Sequence, residues 1–459
     1  MSTPSAPAIT VPGASPASRR IGRRSVASWV LYDLANTCFS LGIVTLFMPS
    51  LVKDVFGYQG DFVIGSLDAL GAALIFVAAP VLGAISDQSA RRLPFLAVST
   101  VLCVVATFFL GQPSATTVFV LYVAAVVCYQ AGLIFYDSLL PEVSTDENRG
   151  RIGGIGVGVG YVGSLLAYLV GVLLLPSRGT PTIGDYAAVF RGVAIVFLVF
   201  ALPAFLFIRE RRRLAPPMSP RIVPQAFSQL AGTARRARRY RGLGRFLVGR
   251  MFYADAANTL IFMIVLYATG ALAMQRADAM NAAILSIVAA IPAGIAWGRV
   301  VDHIGPRRTL DGVLVLWMVI LAVVGAIPVL GLPSWLIYVA GAFVGVALAG
   351  LWASDRPLMA RLAPPRYYGQ FFGLYAMVGR FSAVVGPFMW GVIADKGALN
   401  WGQPAAIMFL LLWVVIAFVI LRGVDDRPRT WGPDDLPGYA DDQEQDAIAS
   451  APPVPGLAG

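Results

Sequence analysis

The chain reads as a series of long apolar runs separated by short polar stretches. Twelve runs cover residues 27–50, 62–86, 94–111, 116–138, 152–175, 188–208, 245–270, 280–301, 310–330, 334–356, 369–394 and 403–422. Each has about 20 residues, the helix length that crosses the hydrocarbon core of a bilayer. Strands of a membrane barrel would alternate apolar and polar residues instead. Only helices and closed barrels satisfy their backbone inside lipid, so the pattern predicts an all-α integral membrane protein with twelve transmembrane helices.

Composition narrows the picture. Of 459 residues, 58% are hydrophobic and 13% are charged, whereas a soluble domain carries about 25% charged residues. A soluble enzyme, a nucleic-acid binder and a disordered chain are excluded as descriptions of the whole. The net charge of +10 is explained by its distribution. Gaps on one side of the predicted membrane hold only Lys53, Arg178, Arg276 and Lys396, and those on the other hold twenty-eight basic residues, Arg356 among them. Cytoplasmic loops attract Lys and Arg, so both termini are expected in the cytoplasm; the short loops and the lack of a cleavable signal lead to the expectation of a bacterial inner (plasma) membrane. No nucleic acid is needed to account for the charge. Cys38, Cys103 and Cys128 lie within apolar runs and His303 is the single histidine. That leaves no disulfide framework, metal cluster or enzymatic constellation, and no cofactor is indicated.

Residues 1–26 read as a disordered basic tail, and 27–208 and 245–422 as two six-helix bundles. A basic, Pro-containing linker at 209–244 joins the bundles, and an acidic tail at 423–459 is expected to be disordered and solvated. The first run lacks a small-residue cleavage site and reads as an uncleaved anchor. Gly158, Gly160 and Gly163 fit a dinucleotide-binding string, but they sit inside an apolar run with no preceding strand, so close helix packing is the better reading.

The halves match one another in order. Asp33, Asn36 and Thr37 recur as Asp255, Asn258 and Thr259. Gly83, Asp87, Arg91 and Arg92 recur as Gly298, Asp302, Arg307 and Arg308, and Asp137 recurs as Asp355. Co-linear matches at nearly one offset indicate two bundles related by an axis along the membrane normal, with a site at their interface.

These residues resemble the major facilitator superfamily, whose G-x-x-x-D-x-x-x-x-R-R loop is matched between spans 8 and 9 and, with one residue fewer before the arginines, between spans 2 and 3. WVLYDLANTCFS, YDSLLPE and LMARLAPPRYYGQFFGLYAMVGRFSAVVGPFMWG are similar to vacuole-effluxer-like transporters, whose fungal members are linked to autophagy. The resemblance implies alternating-access transport of a small solute, with amino-acid efflux in the fungal members and helices 1 and 7 lining a central cavity. It also implies that Asp87 latches helix 11 and Asp302 latches helix 5 when the cytoplasmic side is closed.

A charge inside a span costs about 2.5–3.5 kcal/mol on insertion scales unless paired or wet, so each one is a functional candidate. Asp33, Asn36, Thr37 and Ser40 form one stripe on helix 1, and Asp255, Asn258 and Thr259 repeat it on helix 7. Either the stripes bind solute or protons, or they hydrogen-bond the helices together. Arg380, near mid-membrane, is expected to pair with Asp255 or with a carboxylate-bearing substrate. No cation stands at the equivalent point of the first half, near Tyr161 and Val162, so Asp33 is expected to lack a fixed partner and to couple protons, with Asp68 as the alternative. Gly83 and Gly298 allow close helix approach, and the loop carboxylates suit helix N-termini of the other bundle. Arg91, Arg92, Arg307 and Arg308 are expected to add ion pairs to this gate, with Glu142 and Asp137 as partners. The expected partners are the lipid bilayer, a small-molecule solute and protons, with a monomer as the working unit. The rival readings are an exporter of hydrophobic drugs and a non-transporting receptor or scaffold.

Overall fold

The computed structural model describes residues 21–57, 60–89, 91–176, 179–210, 240, 242–394, 399, 401–427, 429 and 431, with the side chains of 60–62, 64, 276–277 and 380–384 outside that description. Among the described residues regular structure is helical throughout. The first half contains α1 (Arg23–Asp54), α2 (Gly60–Gln88), α3 (Leu93–Phe108), α4 (Ala115–Ser138), α5 (Arg149–Leu174) and α6 (Ile183–Phe207). The second contains α7 (Leu243–Gly270), α8 (Arg276–Ile304), α9 (Pro306–Val329), α10 (Leu336–Leu362), α11 (Tyr368–Ala394) and α12 (Gln403–Leu421). All twelve apolar runs are helices, and most extend a turn or less past the run because polar flanks continue the backbone ladder. α10 is the largest departure: it continues to Leu362, six residues beyond the run. α1 contains an eight-residue π-helical stretch, Ser40–Phe47.

Ten helices are long and apolar enough among the described residues to span a bilayer. Many of their large apolar side chains face outward, Val120, Leu173, Leu206 and Val419 among them. That is the inverse of a soluble surface and suits a lipid solvent.

Two hydrophobic cores form. One gathers Trp29, Tyr32, Phe39, Tyr122, Phe190 and their neighbours up to Ile208. The other gathers Leu243, Tyr253, Trp317, Phe371 and their neighbours up to Val424. Between the cores runs a seam in which α2 packs on α11 and α5 packs on α8 and α10. The α5–α8 crossing needs glycine. A Cβ on Gly298 would stand 2.8 Å from the Gly150 carbonyl oxygen, and one on Gly158 would stand 2.6 Å from that of Ile291. The glycine string of α5 thus brings two backbones together. Gly298→Val is expected to lower stability by about 1–3 kcal/mol, the usual cost of overpacking; thermal melting of the detergent-solubilised protein checks this.

The start of α1 and the end of α6 meet where Ser25 Oγ donates to the Phe207 carbonyl at 2.7 Å, so α1 begins on the face where the first half ends. Past α12 the chain remains packed. Val424 is buried, Asp426 accepts the backbone N–H of Arg307 at 3.1 Å, and the Gly423 carbonyl accepts from Arg245 Nη1 at 3.1 Å. The expectation of a solvated tail from residue 423 is therefore corrected: its first residues cap α9. The rest of that tail, most of the linker and residues 1–20 lie outside the described residues.

Candidate functional site

α1, α2, α4, α5, α7, α10 and α11 enclose a cavity of about 630 Å³ between the two cores. Its polar lining includes Asp33, Thr37, Ser40, Asp68, Asn258 and Arg356. The cavity spreads toward the face away from the termini, reaching Val44 of α1, Gly65 of α2 and Phe262 of α7.

Its floor is a charge cluster. Arg356 of α10 reaches across the seam to two carboxylates of the first half. Nη1 stands 3.2 Å from Asp33 Oδ2, and Nε stands 3.0 Å from Asp137 Oδ1. This corrects two expectations. Asp33 has a fixed cationic partner, and Asp137 serves this cluster instead of the loop arginines. The reason is a helix end: hydropathy stops the tenth run at Arg356, but the helix continues, so Arg356 sits in the seam and not in a loop.

The next residue back, Asp355, faces its own bundle. Arg250 Nε donates to Asp355 Oδ2 at 3.1 Å, Tyr253 donates to Oδ1 at 2.6 Å, and Tyr375 donates to Oδ2 at 2.8 Å. The guanidinium of Arg250 also lies 3.5 Å from the Tyr375 ring centroid and donates to the Tyr375 carbonyl at 3.1 Å. Every member of this group is hydrogen-bonded, so a buried charge pair is tolerated there.

The stripes behave differently in the two halves. On α1, Asp33, Thr37 and Ser40 face the cavity, spaced i, i+4, i+7. Asn36 is buried elsewhere, and its amide has no hydrogen-bond partner among the described residues. On α7 the cavity face is Ala254, Asn258 and Ile261. That is one residue out of step with the sequence match, a rotation of about 100°. Asp255 and Thr259 consequently do not line the cavity. Asp255 accepts the Gly386 N–H at 2.8 Å and the Trp413 Nε1–H at 2.6 Å. Arg380 lies on α11, and its side chain is outside the described residues. Asp68 lines the cavity nearer its mouth and accepts from the Tyr122 hydroxyl at 2.6 Å.

The face that carries the termini is shut by two matching contacts. Asp87 accepts the N–H groups of Gly369 and Gln370, both at 2.7 Å, at the start of α11. Asp302 accepts those of Gly150 and Arg151 at 2.7 and 2.9 Å, at the start of α5. A carboxylate at a helix N-terminus satisfies orphan donors and complements the dipole. Gly83 lets α2 approach: a Cβ there would stand 2.7 Å from the Gly369 carbonyl oxygen. Arg92 is fully buried, pairing with Asp87 at 3.0 Å and donating to the Ser138 carbonyl at 2.8 Å. Arg307 pairs with Asp311 at 3.5 Å. Arg91 and Arg308 are exposed, and Glu142 is half-buried.

Two acids that the motif reading passed over complete this face. Glu210, just past α6, accepts the N–H groups of Arg92 and Leu93 at 2.6 and 2.9 Å. Asp426, just past α12, caps α9 in the same way and stands 3.8 Å from Arg361. Extending the repeat would have paired them, because both follow the sixth helix of their half.

A profile of the family described as "Vacuole effluxer Atg22 like" matches residues 61–429. The chain belongs to that family. An uncharacterized MFS-type transporter (YxiO) of Bacillus subtilis is 27% identical over 417 residues, 88% of this chain and 95% of that protein. Autophagy-related protein 22-1 of Penicillium rubens is 26% identical over 301 residues, 61% of this chain and 50% of the fungal protein. This member of the vacuole-effluxer family thus spans about half the length of the fungal relative. In fold it resembles the human organic anion transporter MFSD10, with TM-score 0.70, 15% identity and coverage of 87% and 99% of the two chains. It also resembles a bacterial homologue of the iron transporter ferroportin in its outward-facing state, with TM-score 0.65, 15% identity and the same coverage. The protein is a multi-pass membrane transporter of the major facilitator type, not an enzyme.

Proposed function

We propose that this transporter exports a zwitterionic solute of the amino-acid class across the plasma membrane, coupled to protons, by rocking its two bundles about the central cavity. The observation that carries this reading is the cluster of Arg356 with Asp33 and Asp137. A guanidinium engages a carboxylate in a bidentate pair, and a carboxylate beside it receives an ammonium group. An α-amino acid presents both charges at the spacing of one carbon. The family's description as a vacuole effluxer supports efflux as the direction of transport.

The termini lie in the cytoplasm on this reading, and the Asp87 and Asp302 latches close the cytoplasmic face. Loaded solute then meets a cavity that spreads toward the other side. Two carboxylates share one guanidinium, so a proton taken by Asp33 leaves a balanced Arg356–Asp137 pair. Solute that competes for Arg356 and a proton that neutralises Asp33 act on the same bridge between bundles, and either one loosens it.

Flux into proteoliposomes tests the proposal, with labelled neutral amino acids, organic acids and sugars offered with and without a pH gradient. The expected result is uptake of amino acids alone, accelerated by the gradient, and loss of that acceleration in Asp33→Asn. Movement of sugars or organic acids in preference to amino acids would overturn the substrate class. Unchanged gradient dependence in Asp33→Asn would remove Asp33 from the coupling.

A further inference from the structure

α11 meets three fixed points along its length. At its start, Gly369 and Gln370 are held across the seam by Asp87. Two turns on, Tyr375 supports Arg250 and Asp355. Three turns further, Gly386 donates its N–H to Asp255 Oδ1 at 2.8 Å. The next residue, Pro387, has no N–H to donate. Two consecutive donors of α11 are therefore diverted or missing at one level, which makes it a point of low bending stiffness.

That point is gripped from outside the helix. Asp255 is 1% exposed, and its second oxygen accepts from Trp413 Nε1 of α12. The Trp413 ring packs edge-on against Phe252 at 4.9 Å and tilted against Phe409 at 4.5 Å. A Cβ on Gly386 would collide with Thr259 Oγ1, a buried hydroxyl with no hydrogen-bond partner among the described residues. One carboxylate thus ties α7, α11 and α12 together away from the cavity, and the glycine lets them touch.

We propose that Asp255 is a positioning residue for transport: it pins the far half of α11 to its own bundle, so that the near half swings about Gly386–Pro387 when the Asp87 latch opens. This inference rests on the rocking mechanism proposed above but not on the identity of the solute. The near half carries the latch contacts and the Tyr375 support of Arg250. A swing at the pin therefore links the state of the closed face to the geometry of the central cluster. Asp255 touches no solute in this role.

The test is conformational and uses the full chain in nanodiscs, with Cys38, Cys103 and Cys128 replaced by serine. Spin labels on exposed Arg91→Cys and Arg366→Cys straddle the latch; a second pair on exposed Phe388→Cys and Leu266→Cys reports the far half against α7. Asp87→Ala supplies the open population. The expected result is a latch pair with two distances and a far pair with one. Asp255→Ala is expected to broaden the far pair, and Asp255→Asn, which keeps an acceptor oxygen, to restore a single distance. Far-pair distances that change in step with the latch pair, or an Asp255→Ala protein with the wild-type pattern in both, would overturn the pin. A latch pair with one distance under all conditions would sink the rocking mechanism and this inference with it. Should Asp255→Ala not fold, Pro387→Ala decides. Restoring a backbone donor is expected to cut the open population at least about threefold, and an unchanged population would overturn the proposal.

Discussion

Replacing Arg356 by alanine is expected to lower solute flux by at least about two orders of magnitude. The guanidinium is the one group in the described cluster that joins α10 to α1 and α4. Without it, Asp33 and Asp137 face each other in a buried site, and removing one partner of such a pair costs about 3–5 kcal/mol. Arg356→Lys retains the charge but not the fork that serves two carboxylates, so an intermediate loss is expected. Combining Arg356→Ala with Asp33→Asn and Asp137→Asn removes both stranded carboxylates and is expected to recover thermal stability without recovering flux. Flux assays and melting curves on the same proteoliposome preparations separate the two effects. A single Arg356→Ala variant that transports within about threefold of wild type would refute the role of the cluster.

The second large effect is expected at the latches. Asp87 and Asp302 each accept two backbone N–H groups from a helix of the other bundle. Charge-assisted bonds of this kind contribute about 2 kcal/mol per latch to the closed state, or about thirtyfold in its population. Asp87→Ala with Asp302→Ala is expected to open the face that carries the termini. Ser86 is fully buried beside Gly369 in the closed state. A Ser86→Cys probe is expected to react with an impermeant maleimide at least tenfold faster in the double variant, and equal labelling rates would show that the latches do not hold the face shut.

The fold was largely legible because a bilayer imposes a single length and polarity on its spans. The latch aspartates were legible for a different reason: their spacing to Gly83 and Gly298 occurs twice, and a loop carboxylate beside an exposed helix start has few other uses. The central site was less legible. Hydropathy ends the tenth run at the adjacent charges Asp355 and Arg356, and Arg356 is the residue that enters the seam. Rotation of a helix about its own axis is set by packing partners, so Asp255 and Thr259 leave the cavity face on which the repeat placed them and Asn258 stays. Glu210 and Asp426 lie in polar stretches where an acid carries no periodic signal; only their common place just after the sixth helix of each half distinguishes them.

Those two acids bear on what was doubled. Each bundle's outgoing strand of chain turns back and seals the third helix of the same bundle. The repeating module is therefore six helices plus a trailing carboxylate that caps its own third helix, while the start of its fifth helix is capped by the twin. A half of that kind caps its third helix alone but its fifth only by pairing with a second copy, so the doubling completes a rim that one copy leaves open.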